Sequence, residues 1–197
     1  MMTVMLNSKL FEVILRYPAE QTAARHERIL REASRLFKER GFDGVSVPDI
    51  MKAARLTHGP FYNHFASKDA LVAECIDRAM SNMVSKISAS TRSSRTMREF
   101  LDSYLSPTHR DNPGEGCALA ALAGDVIRTP ATKASFTRRF KDILSALSLR
   151  FASARARDAR AEAINMASLL VGAVILARAV DDEALSEEIL TQARAAL

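Results

Sequence analysis

The sequence predicts an all-α fold. Apolar residues recur at helical spacing along nearly the whole chain, and no stretch of useful length alternates apolar with polar residues. Strand-favouring aromatics are sparse, at 6% of 197 residues with no Trp, and the breakers Gly (7) and Pro (6) are few. A hydrophobic share of 48% supports a substantial core and excludes a disordered tail or a disulfide-stapled miniprotein.

The elements follow in order. Ile29, Ala33, Leu36 and Phe37 share one helical face, and Gly41 ends that helix. Val47, Ile50, Met51 and Ala54 predict a short second helix. Its start carries the Ser46-to-Asp49 capping pattern, with Pro48 in the tolerated first turn. A third helix is predicted over 58–65, capped by Thr57, with Phe61 and Phe65 inward. Ser67 caps a longer fourth helix lined by Leu71, Val72, Cys75, Ile76, Ala79, Met80 and Met83. A helix over 97–105 comes next. Residues 107–116, with Pro107, Asp111, Asn112, Pro113, Gly114 and Gly116, read as a loop. Further helices are expected over 117–128, along the Phe136, Phe140, Ile143, Leu144, Leu147, Phe151 stripe, over 158–180 and over 185–197. The apolar run 163–177 is shorter than the roughly 20 residues a bilayer span needs and reads as a buried helix, so no membrane partner is expected.

Several function classes drop out. Cys75 and Cys117 provide neither metal-ligand spacing nor a disulfide framework, so no metal or cofactor is expected and a reducing cytoplasm is the simplest compartment. Residues 1–15 are apolar, but Lys9 and Glu12 interrupt them and no basic segment leads in, so a signal peptide is not expected. There is no nucleophile elbow, glycine-rich phosphate loop or metal box, and the four His form no acid–base site with nearby carboxylates. An enzyme is therefore not expected.

The window 42–71 carries the information. Helix 47–54, a three-residue turn and helix 58–65 make a helix-turn-helix. Burying Phe61 and Phe65 leaves His58, Gly59, Tyr62, Asn63 and His64 facing outward. No acidic residue lies between Asp49 and Asp69, whereas Lys52, Arg55 and Lys68 are basic, and the chain as a whole has a formal charge of +5. Polar groups for base edges in a field of positive sign suit duplex DNA.

Val45-Ser46-Val47, Ile50, Ala53-Ala54, Leu56-Thr57, Gly59, Phe61-Tyr62, His64-Phe65, Ser67-Lys68 and Leu71 resemble the DNA-binding domain of the TetR family of bacterial transcriptional repressors. Ile29, Ala33, Leu36-Phe37 and Gly41-Phe42 are similar to that family's first helix. The resemblance implies an N-terminal three-helix DNA-binding domain followed by a helical ligand-binding and dimerisation domain. Residues 1–20 would be an extension, 21–70 the DNA-binding domain and 71–197 the effector and dimerisation domain. It also implies a homodimer on a palindromic operator, released by a small-molecule effector. Ser46, Val47, Thr57, His58, Gly59, Tyr62, Asn63, His64 and Lys68 would then form the DNA surface. Tyr104, Cys117, Phe140, Leu144, Asn165 and Leu169 are the candidate effector contacts. One departure is Arg55, where the family commonly has Gly; at positive φ, Arg there costs on the order of 1 kcal/mol. Two other readings stay open: a regulator switched by chemistry at Cys117, and an all-α adaptor that does not bind DNA.

Overall fold

The computed structural model describes the backbone of residues 3–57, 59–151 and 156–197, and side chains within 20–57, 59–151 and 157–197. Among the described residues there are helices and no strands. The order is α1 (Thr3–Arg40), α2 (Val47–Ala53), a 3₁₀ turn (Gly59–Asn63), α3 (Lys68–Ser90), α4 (Ser94–Tyr104), α5 (Pro107–Asp111) and α6 (Ala118–Arg128). After a 3₁₀ turn (Pro130–Thr132) come α7 (Lys133–Ser148), a further 3₁₀ turn (Leu149–Phe151), α8 (Ala156–Ala179) and α9 (Glu183–Ala195).

The predicted first helix is longer at its start. It runs from Thr3 without a break at residue 20, so the expected extension is continuous with it. Its end is as expected. Gly41 adopts φ +73, a conformation glycine takes without a Cβ clash, and its N–H donates to Phe37 O at 2.8 Å. A Cβ at Gly41 would also sit 3.1 Å from both carboxylate oxygens of Asp125 on α6, so a larger residue there would both strain the backbone and push on that carboxylate.

α3 joins the two parts of the molecule. Its 23 residues span about 35 Å at 1.5 Å per residue. Leu71, Val72, Cys75 and Ile76 are buried where it packs on α1, and its length lies along α7. Asp77 fixes that crossing. Arg139 grips it with two parallel bonds (Nε to Oδ1 2.8 Å, Nη2 to Oδ2 2.6 Å), and Arg138 adds a third at 2.6 Å. These bonds hold the Asp77 carboxyl down at about 2.

Two expectations change. Residues 107–111 are not a loop but α5: Ser106 Oγ accepts from His109 N–H at 3.1 Å, and Pro107 occupies the first turn, where its missing N–H is no loss. The apolar segment 163–177 lies within α8, close to the helix expected over 158–180, but it is not buried all round. Over Arg157–Ala179 it has a mean hydropathy of 1.5 and is long and apolar enough, by length and composition, to cross a membrane. One face, with Ala163, Met166, Ala167, Leu170, Val174 and Ala177, is buried in the protein core. The other leaves Ile164, Ile175 and Leu176 exposed.

Arginines lock the distal end. Arg110, only 8% exposed, donates to Ser186 Oγ (2.7 Å) and Glu183 Oε1 (2.8 Å) on α9. Arg178 on α8 donates to the carbonyls of Arg110 and His109, both at 2.8 Å. Short α5 is thereby held against the two C-terminal helices.

Candidate nucleic-acid interface

The α2 N-terminus is a complete capping box. Asp49 N–H donates to Ser46 Oγ at 3.3 Å, Ser46 N–H donates to Asp49 Oδ2 at 2.9 Å, and the Ser46 hydroxyl donates to the same oxygen. Those bonds from Ser46 depress the Asp49 pKa. The carboxylate of Asp49 is thus turned back onto its own helix start.

The far end of α2 is a Schellman motif. Leu56 N–H donates to Met51 O (2.9 Å) and Arg55 N–H to Lys52 O (3.0 Å), with Arg55 at φ 54. Arg55 therefore does occupy the positive-φ position usual for glycine. The turn then redirects the chain into the Gly59–Asn63 segment. Five residues wound as a 3₁₀ helix replace the α-helix expected over 58–65. Pro60 removes one backbone donor, and the turn closes on Phe61, whose carbonyl accepts from His64 N–H (2.9 Å) and Phe65 N–H (3.0 Å).

Phe61 and Phe65 anchor this element, at 0% and 3% exposure, with ring centroids 5.7 Å apart. Ser46, Thr57, Gly59, Tyr62 and Asn63 are exposed around them, while His64 and Lys68 are half-buried. Tyr62 is 66% exposed and stands edge-on to Phe61 at 5.2 Å. Val47 departs from the expected surface set: it is half-buried and packs against the core. His58 lies outside the described residues. A Cβ at Gly59 would meet nothing within 4 Å and its φ is not positive, so apart from the restraint of Pro60 the fold itself does not demand glycine there. Ser67 accepts from Ala70 N–H at 3.1 Å and so sets Lys68 at the start of α3.

Sequence reasoning did not single out His26. Its ring stacks on Phe65 at 4.5 Å, lies 5.9 Å from the His64 ring and bonds Glu74 at 2.7 Å. It positions His64 from α1. Burial, then the charges of His26 and Arg25, lower the His64 pKa. The signal was spacing: His26 lies three residues before Ile29, on the same face as the core stripe.

The effector candidates separate. Tyr104 and Cys117 line a cavity of about 610 Å³ between α1, α3, α4 and the turn preceding α6; Phe140, Leu144, Asn165 and Leu169 do not line it. Leu144 is buried in the core, and Asn165 is exposed on α8. His109 supports the floor. Its Nδ1–H donates to Tyr104 O at 2.6 Å, and its Nε2 accepts from Cys117 N–H at 3.0 Å. That pairing requires the neutral ring, and burial lowers the His109 pKa accordingly. Burial, then the neighbouring Cys117, push Tyr104 well above the usual phenol range.

Comparison with known proteins agrees with this geometry. Residues 29–75 match the family described as bacterial regulatory proteins, tetR family. The chain is 29% identical over 110 residues to the HTH-type transcriptional repressor DhaR of Mycobacterium sp. (strain GP1), covering 52% of this chain and 56% of that one. It thus spans about half the length of that relative. The crystal structure of reduced NemR from E. coli superposes with a TM-score of 0.73 at 19% identity, over 88% of this chain and 94% of that one. A TetR-family regulator from Agrobacterium tumefaciens gives 0.74 at 20%, over 89% and 98%. The structures speak to the fold, and the match over residues 29–75 ties the helix-turn-helix segment, rather than the whole chain, to the tetR family of bacterial regulatory proteins.

Proposed function

We propose that the protein is a transcriptional repressor that binds a palindromic DNA operator as a homodimer and leaves it when a small-molecule effector binds. One observation carries the DNA reading. The exposed ring of Ser46, Thr57, Gly59, Tyr62 and Asn63 surrounds a turn fixed by buried Phe61 and Phe65. The stretch between Asp49 and Asp69 has no acidic residue, and Asp49 itself is turned back onto Ser46. Tyr62, His64 and Lys68 hold phosphates; Thr57 and Asn63 reach base edges; Gly59 lets the backbone approach the groove floor.

The dimer reading rests on α8 and α9. Ile164, Ile175, Leu176 and Leu185 are 41–57% exposed on these helices. A Cβ at Gly172 would meet nothing inside the protomer, which leaves room for close approach by a second copy. A two-fold pair would set recognition turns in successive major grooves about 34–36 Å apart. Such a protein works in the cytoplasm, with no cofactor and no membrane.

Selection from a random duplex library with the purified full chain tests this. The expected product is an inverted repeat with half-sites one helical turn apart. Failure to enrich any sequence would favour the adaptor reading.

A further inference from the structure

The 610 Å³ cavity lies between α1, α3, α4 and the turn preceding α6, and its wall is unusual in charge. Arg31, Arg35, Lys38, Arg78 and Lys86 face it, against one acidic residue, Glu115. Carboxylates already neutralise the arginines. Glu39 (2.9 Å) and Glu32 (3.3 Å) hold Arg35, Glu32 lies 3.4 Å from Arg31, and Glu27 pairs with Arg78. Among the described residues, neither Lys38 nor Lys86 makes an ion pair, and Lys38 donates only to the Gly116 carbonyl, at 3.3 Å. Two lysines from different helices therefore face one half-enclosed space without an ion-pair partner, Glu115 being the one acidic residue that lines it with them.

Below them the wall is apolar. Met83, Phe100, Tyr104 and Cys117 line the cavity and also bound a smaller one of about 20 Å³, closed by aliphatic side chains of α6, α7 and α8. We propose that this cavity binds a small amphiphilic organic anion, its acidic group between Lys38 and Lys86 and its apolar body on Met83, Phe100 and Tyr104. This rests on the ligand-released reading above and gives the effector its chemical class. Burial, with the Lys86 charge adding to it, holds the Lys38 ammonium below its ordinary pKa, and an anion offsets both effects.

The site also has leverage. Lys38 is in the last turn of α1, three residues before the Gly41 bend that leads to α2, while Lys86 is on α3. An anion bridging them changes how α1 sits on α3, and α2 with its following turn is carried on α1. The turn that closes the cavity is packed tightly on α1: a Cβ at Gly114 would lie 2.5 Å from Glu39 Oε1 and 3.0 Å from Arg35 Cγ.

The test compares two fluorescent probes with the same rings, 1-anilinonaphthalene-8-sulfonate and uncharged N-phenyl-1-naphthylamine, on the full chain. Exchanging both lysines (Lys38→Gln with Lys86→Gln) should weaken the sulfonate by about tenfold or more, as loss of charge-assisted hydrogen bonds does, and leave the neutral probe within about twofold. Glu115→Gln should tighten the sulfonate, a gain that misfolding cannot produce. Sulfonate affinity indifferent to all three positions, or both probes responding alike, would overturn the site. Duplex affinity at saturating sulfonate separates the two claims. Charge-selective binding with unchanged duplex affinity keeps the site and removes the effector-release reading.

Discussion

Arg55 sits where the end of α2 needs a left-handed residue, at φ 54 with both Schellman bonds formed around it. An L side chain there costs on the order of 1 kcal/mol. Arg55→Gly should therefore raise the melting temperature by about 2–4 °C, read by calorimetry, and leave the selected operator sequence unchanged. A shift in operator preference would make Arg55 a base contact. His64 gives a second prediction. Its pKa is lowered in the free protein, chiefly by burial and then by His26 and Arg25. A phosphate beside it would raise that pKa, so operator affinity should strengthen as pH falls below about 6.5, the unperturbed histidine value. His64→Gln should flatten the profile. Tyr62→Phe removes only a hydroxyl and should weaken operator binding by about threefold to tenfold.

At the scale of elements, the capping signals at Ser46 and Ser67 were legible because each cap is a local hydrogen bond encoded within four residues. The recognition turn was legible in position and inward face through Phe61 and Phe65, but not in its winding. Pro60 and the closure on the Phe61 carbonyl select 3₁₀ geometry, and periodicity over so few residues does not separate the two forms. α5 was hidden for a related reason: Pro107 reads as a breaker until Ser106 is seen to cap it. The cavity was least legible. Its walls come from α1, α3, α4 and a turn some 75 residues beyond α1, and cations spaced along separate helices read as solvated faces. The Asp77 clamp between α3 and α7 is a further long-range feature, and it has a pH signature. The Asp77 pKa falls from 3.8 to about 2 on folding, so its stabilisation is present above pH 3.8 and lost as pH falls through 2. Asp77→Asn should cost about 1 kcal/mol or less at neutral pH, since the pairs are partly exposed, and progressively less as pH falls through 2, as followed by chemical denaturation.

At the scale of the whole molecule, α3 both packs on α1 beside the helix-turn-helix and walls the cavity, so a ligand in the cavity and an operator at the turn would act on the same lever. Thermodynamic reciprocity then requires the operator to weaken effector binding by the same factor. Assembly provides another check. Leu176 is 57% exposed on α8, and Leu176→Arg would place unpaired charges in a two-fold contact. It should cost the dimer about 3 kcal/mol or more, seen by sedimentation, with operator affinity falling alongside it. The most direct test is the salt dependence of affinity for the selected duplex, measured by anisotropy for the wild type and for Lys68→Gln. The expected result is a linear fall of log affinity with log salt, its slope reduced by about one per lost phosphate contact, or by two in a dimer. A flat dependence, or equal affinity for unrelated duplexes, would contradict a DNA-reading surface built on Phe61 and Phe65.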